Sequence, residues 1–390
     1  MNGPGPGAGR VARRSVLILA AASLTAASAG RYSEVPPITR PMPAEPPAAR
    51  GTIPLKSISY WTSQYLQSWD YQTQTTLPMS KTGDSWDQYN VSYLVDANTA
   101  MYCATEQTRY LDRALEYVEN VYRAAVRSSA KRTSQYRDSY RGWVSNGPDL
   151  DRPGIEVPLF ESYFWRYGTT LLRVMRTTPA VYQDPKYRAR YDRLLEMAEV
   201  DIFEKWYTRG LDNIYRSRTH MVSHWALIAL NLSLITADPA RRSRYRQVVD
   251  NIDLHLPNVD ASLRGQLRRN PMETTAYFWN DVWGSFRRPG QDVSHGNGVL
   301  AYVVEARDNG NQWTKADMAA FSALLTKVIW PRGKIYHAFV DGTGSDNGWF
   351  SDGYVKLGRY DPAVQQRLDQ HLVVNEQFAA NMALNVKVLT

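Results

Sequence analysis

The sequence predicts an all-α protein, an (α/α) toroid that forms an incomplete barrel of alternating inner and outer helices. A helix that is apolar on most faces is buried, whereas a helix with one charged face lies on the surface. The two kinds alternate here, with roughly 60 to 77 residues between successive helices of the first kind. The apolar, inner segments lie near residues 90–104, 159–177, 219–236, 295–307 and 372–389. The amphipathic, outer segments lie near residues 108–128, 185–207, 239–254 and 314–329.

Start signals mark several of these helices. Asp184 and Asp238 each precede a proline, which places a capping side chain ahead of a proline in the first turn. Thr314 and Asp317 resemble a capping box, and Asp292 marks another helix start. The last inner segment has no outer segment after it, which leaves the predicted ring incomplete.

The stretches between the helices are long and rich in Gly, Pro, Asn and Asp. They cover residues 130–157, 256–292 and 331–370. Loops of this length in a compact domain usually contain short strands or form part of a binding or active site. We therefore expect these stretches to carry short strands, functional residues or both.

The N-terminus predicts export. Arg10, Arg13 and Arg14 precede an apolar run over residues 16–27, and small residues follow as a cleavage site, so residues 1–29 form a signal peptide. The arginine pair loosely resembles a twin-arginine signal. Residues 30–54 form a proline-rich linker, and residues 55–390 form a single domain. We expect a secreted or cell-envelope protein with no stable membrane span after cleavage.

The composition restricts the kinds of partner that this protein can have. The whole chain carries a net charge of +8, and residues 30–390 retain about +5, which suits an anionic partner. The basic residues are scattered and form no lysine-rich stripe, so a nucleic-acid partner is not expected. The lone Cys103 excludes an intrachain disulfide and reads as a small hydrophobe. The 12 tryptophans and 25 tyrosines suit sugar-stacking sites as well as core packing.

In a ring of inner helices, polar residues at the helix starts converge on a central cleft. His220 and His224 are spaced i and i+4, on one face of an apolar helix. A metal site needs a third donor, and no HExxH motif or Cys/His cluster supplies one. Metal binding is therefore not favoured, and a pair of buried, hydrogen-bonded histidines explains the spacing as well as a catalytic role for either one. The candidate residues at the helix starts are Asn90, Glu161, His220, His224, His295 and Asn297.

Other candidates have plain structural alternatives. His295 follows Asp292 at a helix start that favours an anion, although a capping turn also explains this run. Tyr277 lies in an aromatic segment between the histidine-bearing helices and is otherwise a packing residue. Glu161 is a general acid or a first-turn acid favoured by the helix dipole. No P-loop, GxGxxG or GxSxG motif is present, and we expect no cofactor.

The run Ser223-His224-Trp225 with His220, followed later by Tyr277 and by Asp292-Val-Ser-His295, resembles the (α/α)-toroid polysaccharide lyases. It is similar more loosely to the alginate lyase and glucuronan lyase families. The likeness covers most of residues 60–390. Ser223 departs from the asparagine that some alginate lyases place beside this histidine, which leaves the carboxylate-neutralising residue open.

The resemblance implies β-elimination on an anionic polysaccharide that contains uronic acid. It implies that Tyr277 acts as base and acid, that His224 or His220 assists, and that His295 or Asn297 neutralises the substrate carboxylate. No metal is needed for this chemistry. The substrate-binding residues expected around these groups are Asn90, Glu161, Trp225, Trp279 and Asn297.

Three alternatives stay open at the level of sequence. An (α/α)-barrel glycoside hydrolase needs two facing carboxylic residues. A uronyl epimerase is suggested by the polar run that begins at Asp352, and a non-catalytic carbohydrate-binding protein would use the aromatics alone. The carboxylates available to a hydrolase are Glu161, Asp281, Asp292, Asp346 and Asp352.

Overall fold

The computed structural model describes residues 54–148, 150–372 and 374–390, and this part of the chain is mostly helical. The predicted signal peptide and almost all of the predicted linker lie outside the described residues. The α-helices are α1 (Ile58–Leu66), α2 (Trp69–Tyr71), α3 (Leu77–Met79), α4 (Ser85–Thr105), α5 (Thr108–Ala124), α6 (Pro158–Thr177), α7 (Pro179–Tyr182), α8 (Pro185–Glu196), α9 (Lys205–Thr208), α10 (Thr219–Ile235), α11 (Pro239–Leu254), α12 (Val293–Asp308), α13 (Lys315–Ala323), α14 (Pro362–Leu368) and α15 (Glu376–Leu389). The π-helical turns are Gln72–Thr76, Met197–Glu204 and Leu324–Ile329, and the 3₁₀ segments are Ser128–Ala130, Leu211–Asn213 and Tyr354–Tyr360.

The predicted contrast between buried and one-faced helices is clear at α10 and α11, whereas the segment predicted as the outer helix α13 is mostly buried. Nearly every residue of α10 is buried, as its all-round apolar sequence requires. The outer helix α11 buries Tyr245, Val248 and Ile252 on one face and exposes Arg246 and Asp250 on the other. The helices α4, α6, α10, α12 and α15 correspond to the five inner segments, and α5, α8, α11 and α13 correspond to the outer ones.

The inner helices pack in a fixed order. Helix α4 lies between α15 and α6, and α10 lies between α6 and α12. The 3₁₀ segment Tyr354–Tyr360 packs against both α12 and α15. Outside them, α5 covers α4 and α11 covers α10. The sequence pattern showed no outer partner for α15, and the structure supplies one in α1, which packs directly on it.

The predicted helix starts are also confirmed. The Asp184 and Asp238 side chains cap α8 and α11, and each is followed by a proline at the first helical position. Thr314 and Asp317 form a complete capping box at α13, with each side chain accepting from the other's backbone N–H. Asp292 caps α12 by accepting from the backbone of the third residue after it.

Two of the long loops are associated with a short antiparallel hairpin. β1 (Val126–Arg127) pairs with β2 (Arg141–Gly142), with Val126 opposite Gly142. β3 (Arg268–Arg269) pairs with β4 (Tyr277–Phe278), with Arg268 opposite Phe278. The strand β4 leads into residues 279–292, which run back to the start of α12. This loop therefore reaches the N-terminal ends of the inner helices.

Charged side chains from several inner elements meet in the interior. Lys356 of the 3₁₀ segment lies 2.9 Å from Asp96 of α4 and 3.8 Å from Glu305 of α12. Arg173 of α6 also pairs with Glu305, and Arg359 lies 3.7 Å from the same carboxylate. Because each charge has an opposite partner, the network satisfies groups that would otherwise be costly to bury.

Candidate functional site

The N-terminal ends of α10 and α12 bring two histidines together. Residues 280–282 run beside the start of α10, where the backbone N–H of Thr219 donates to the carbonyl of Asp281 at 2.9 Å. His220 occupies the first turn of α10 and His295 the first turn of α12. Their ring centroids are 4.4 Å apart, with the ring planes tilted by 35°. Each ring is held by its own carboxylate.

His220 is bonded to Asp281. Its Nδ1 lies 2.6 Å from Oδ1 of Asp281, and His220 is 7% exposed. Burial lowers the pKa of His220 below its ordinary value, although the Asp281 hydrogen bond opposes this shift. Burial alone would raise the pKa of Asp281, but the hydrogen bond from His220 and the nearby cations lower it. An ionised carboxylate only accepts, so Nδ1 carries the proton and Nε2 of neutral His220 carries the lone pair.

His295 is bonded to Asp292 in a second pair. Its Nδ1 lies 2.9 Å from both carboxylate oxygens, and its side chain is 44% exposed. Burial alone would lower the pKa of His295, but the hydrogen bond and charge of Asp292, with the charge of Asp281, raise it. His295 therefore keeps its proton to a higher pH than an ordinary histidine, whereas His220 loses it at a lower pH.

His224 lies one helical turn behind His220 and is 1% exposed. Burial, then the charge of Arg166, holds its pKa well below the ordinary value, so it is neutral. Its Nδ1 has no hydrogen-bond partner among the described residues. A β-carbon at Gly298 would stand 3.0 Å from Nε2 of His224 and 3.4 Å from Nη1 of Arg166, so a larger residue there would crowd both side chains. His224 therefore packs against the site from the interior of the protein.

A tyrosine and an arginine of α6 complete the inner wall. The ring of Tyr163 meets His224 edge-on at 4.9 Å, and the Tyr163 hydroxyl donates to the hydroxyl of Tyr93 at 2.6 Å. The guanidinium of Arg166 lies 3.9 Å from the centre of the Tyr163 ring and donates to Asp352 at 2.7 Å. Arg166 and Asp352 are both buried. This pair ties α6 to the residues just before the 3₁₀ segment.

Tyr277 contacts a different part of the molecule. Its hydroxyl donates to Asp317 of α13 at 2.6 Å, and its ring packs against Phe321 at 4.9 Å. Burial and the neighbouring Asp317 carboxylate raise the pKa of Tyr277. A hydroxyl with a raised pKa and a fixed acceptor is a poor base. None of the recorded contacts of Tyr277 within the described chain joins it to His220, His224 or His295.

Two other predicted residues are engaged in buried bonds. The carboxylate of Glu161 accepts from Lys205 at 2.6 Å and from the indole of Trp206 at 2.8 Å, with no exposed surface. The amide of Asn297 donates to the carbonyl of Trp349 and accepts from the backbone of Gly353. Asn297 therefore fixes the 349–354 segment, which carries Asp352, against α12.

The remaining predicted residues divide between core and surface. Trp225 is fully buried in α10, and Trp279 is fully buried against Phe321. Asn90 is half-buried near the start of α4, where its amide donates to the carbonyl of Trp86 at 3.0 Å. Cys103 has a pKa raised by burial to about 11, which fits the expected packing role.

Sequence reasoning missed Arg166 and Tyr163 and gave Asp281 no role beside a histidine. A signal for Arg166 did exist, because an arginine within an otherwise apolar inner helix must be paired or bound. No local signal pointed to its partner Asp352, which lies 186 residues away in the chain. The same holds for Asp281, which follows His220 by 61 residues.

Within the described residues, no cluster of three or more His, Cys, Asp or Glu side chains is arranged to hold a metal ion. None of the helices in the described part of the chain is long and apolar enough to cross a membrane. No family model matches the chain. No curated protein matches it either.

Proposed function

We propose that this protein is a polysaccharide lyase that cleaves a uronic-acid polymer by β-elimination. One observation carries the proposal: two histidine–aspartate pairs stand with their rings 4.4 Å apart, and their pKa values are shifted in opposite directions. Two neighbouring groups whose environments separate their pKa values are suited to act as base and acid. His220 takes the role of base and His295 the role of acid.

The reaction uses both groups in turn. Nε2 of His220 takes the proton from C5 of the uronic acid, which is α to the carboxylate. The electrons of the C5–H bond form the C4–C5 double bond, and the bond from C4 to the leaving oxygen breaks. His295 gives its proton to that oxygen. The exposed guanidinium of Arg218, 3.4 Å from Asp281, stands where it can neutralise the substrate carboxylate as charge develops.

The roles of the carboxylates favour elimination over hydrolysis. A glycoside hydrolase needs two carboxylic residues that face the sugar. Asp281 and Asp292 instead orient the two histidines, while Glu161 and Asp352 are bonded to buried cations. Of the carboxylates suggested by the sequence, Asp346 alone has neither kind of partner among the described residues.

The architecture in this proposal is the (α/α) toroid. The order α15–α4–α6–α10–α12, followed by the 3₁₀ segment that returns to α15, is the neighbour relation that such a ring requires. The histidine pairs then occupy the N-terminal ends of inner helices, where backbone N–H groups favour an anionic ligand. Export through residues 1–29 would place the enzyme outside the cytoplasm, where a large polymer is met.

The test is to incubate the purified protein with alginate, glucuronan, hyaluronan and heparosan. We expect one of them to yield the ultraviolet absorbance of a new C4–C5 double bond. His220→Ala should abolish it, while His255→Ala, which alters an exposed histidine at the end of α11, should leave it unchanged. Reducing ends without absorbance would indicate a hydrolase, C5 proton exchange without cleavage an epimerase, and binding without product a carbohydrate-binding protein. Each of these three results would overturn the lyase proposal.

A further inference from the structure

The N-terminal half of α4 leaves one stripe partly open to solvent. Four half-buried residues, Trp86, Tyr89, Asn90 and Tyr93, follow the spacing i, i+3, i+4 and i+7, which places them on one face of the helix. Between and after them, most of α4 is buried. An inner helix that is otherwise covered therefore keeps four side chains partly exposed at this face, with Trp86 at its outer end. We call these four residues the α4 stripe.

The α4 stripe is connected to the histidines by a run of ring contacts. Trp86 stacks on Tyr89 with centroids 5.2 Å apart and planes 12° from parallel. Tyr89 stacks on Tyr163 at 3.8 Å, and Tyr163 meets His224 edge-on at 4.9 Å. His224 and His220 follow each other on α10. The stripe is therefore linked to the proposed reaction centre through α6, which lies between α4 and α10.

The exposure of the tryptophans sets the stripe apart from the core. Of the 12 tryptophans, eight are fully buried and four are partly exposed. Two of the four, Trp283 and Trp349, lie in loops bonded near the starts of α10 and α12: the Trp283 indole donates to the carbonyl of Arg216, and the carbonyl of Trp349 accepts from Asn297. The third is Trp86 in the stripe. Only the fourth, Trp69, packs elsewhere, against Tyr65 and Tyr110.

One member of the α4 stripe offers an unused hydrogen-bonding group. The Asn90 amide nitrogen donates to its own helix, and its oxygen has no donor among the described residues. The Tyr93 hydroxyl is bonded to Tyr163 at 2.6 Å and also to Tyr89, so it is engaged within the protein. A free acceptor beside the partly exposed ring of Trp86 suits the hydroxyls and the apolar face of a sugar ring.

We infer that the α4 stripe is a binding subsite for a sugar unit of the polymer other than the unit that reacts. The inference rests on the proposed function for the identity of the polymer. The stripe contains no cation, so it recognises the ring face and the hydroxyls, whereas the reacting unit's carboxylate is met at Arg218 and the histidines. Trp86 and Asn90 are specificity-determining residues for chain length in this arrangement.

The test compares Trp86→Ala, Asn90→Ala and the control Trp69→Ala in the full chain. Binding of size-defined oligosaccharides from the same four polymers is measured by titration calorimetry, without reliance on turnover. We expect Trp86→Ala to weaken the binding of the longer oligosaccharides about tenfold. Asn90→Ala, which removes a half-buried side chain and leaves the ring stack intact, should weaken it by a smaller factor, and Trp69→Ala should not change it.

Kinetics separate the two proposals. If the protein is a lyase, Trp86→Ala should raise KM for long chains more than for the shortest cleaved substrate, with kcat largely kept. Lyase activity together with unchanged Kd and KM in both Trp86→Ala and Asn90→Ala would overturn the subsite while leaving the proposed function in place. Oligosaccharide binding that depends on Trp86 and Asn90 without any unsaturated product would overturn the proposed lyase function and leave the subsite in place.

Discussion

The imidazoles of His220 and His295 lie 4.4 Å apart, yet the two rings hold their protons over different ranges of pH. Burial lowers the pKa of His220, whereas at His295 the hydrogen bond and charge of Asp292, together with the charge of Asp281, outweigh burial and raise the pKa. Between the two values, one ring is neutral and its neighbour is charged. The reaction assigned to this site needs that combination, and the pH profile should show it.

Asp292→Asn tests the acid. Activity that requires protonated His295 is lost as pH rises through the raised pKa of that residue. Removing the Asp292 charge lowers this pKa, so the alkaline limb of the profile of kcat/KM should move to lower pH. Asparagine is itself a good helix N-cap, so the start of α12 is preserved.

Asp281→Asn is compared with Asp292→Asn; because the Asp281 charge also raises the pKa of His295, this variant should move the alkaline limb in the same direction but less far. It removes the partner of His220 instead, so we expect the acid limb to move to lower pH and the rate to fall by about 10²–10⁴-fold. An alkaline limb that stays in place in Asp292→Asn would remove His295 from the role of acid.

Tyr277→Phe separates this mechanism from the one that the resemblance implies. The Tyr277 hydroxyl is bonded to Asp317 of α13, so its removal should leave the lyase rate within about twofold and lower the free energy of unfolding by about 1–3 kcal/mol. Denaturant unfolding and the ultraviolet assay measure the two effects. Loss of activity in a variant that remains folded would return the base to Tyr277 and contradict the assignment to His220.

The buried pair of Arg166 and Asp352 predicts a large effect on stability. Asp352→Asn leaves the Arg166 charge without its partner in the interior, which should lower the free energy of unfolding by about 3–5 kcal/mol. Arg166→Met combined with Asp352→Leu removes both charges and should recover part of the loss. Equal stability of Asp352→Asn and the native chain would show that the pair is not needed.

Asp253 predicts a dependence of stability on acidic pH. Its carboxylate accepts from Tyr302 at 2.9 Å and from Trp313 at 3.1 Å, and burial raises its pKa to about 6. The folded state then holds a proton that the unfolded state releases near pH 4, so this group makes stability fall as pH rises from about 4 to 6. Comparing thermal unfolding of Asp253→Asn with the native chain across this range measures the effect. The variant should lack this fall, and a parallel decline in both proteins would contradict the prediction.

The helices could be predicted because their signals are local. The residues 219–236 are apolar on every face, and Asp238 before a proline fixes the next helix start within a few residues. The partner of α15 could not be found in this way, because α1 lies more than 300 residues earlier in the chain. Short local patterns do not encode such pairings.

The site was partly predictable for the same reason. His220 and His295 stand at helix starts, where the sequence placed them. The two carboxylate partners differ in how easily the sequence predicts them. Asp292 is three residues from His295, whereas Asp281 is 61 residues from His220 and lies in the loop after the second hairpin. The role expected of Tyr277 rested on likeness to a family, and nothing local indicates that its hydroxyl meets Asp317.

The contacts between α4 and α15 make the fold sensitive to truncation before α15. Asp96 of α4 accepts hydrogen bonds from Gln377 and Asn381, which lie more than 280 residues later. A chain that stops before residue 376 would leave a buried carboxylate with fewer donors and one side of α4 bare. Such a product would expose apolar helix surface to solvent and aggregate, instead of forming a smaller functional protein. Contact with α15 is therefore needed both to cover α4 and to satisfy the Asp96 carboxylate.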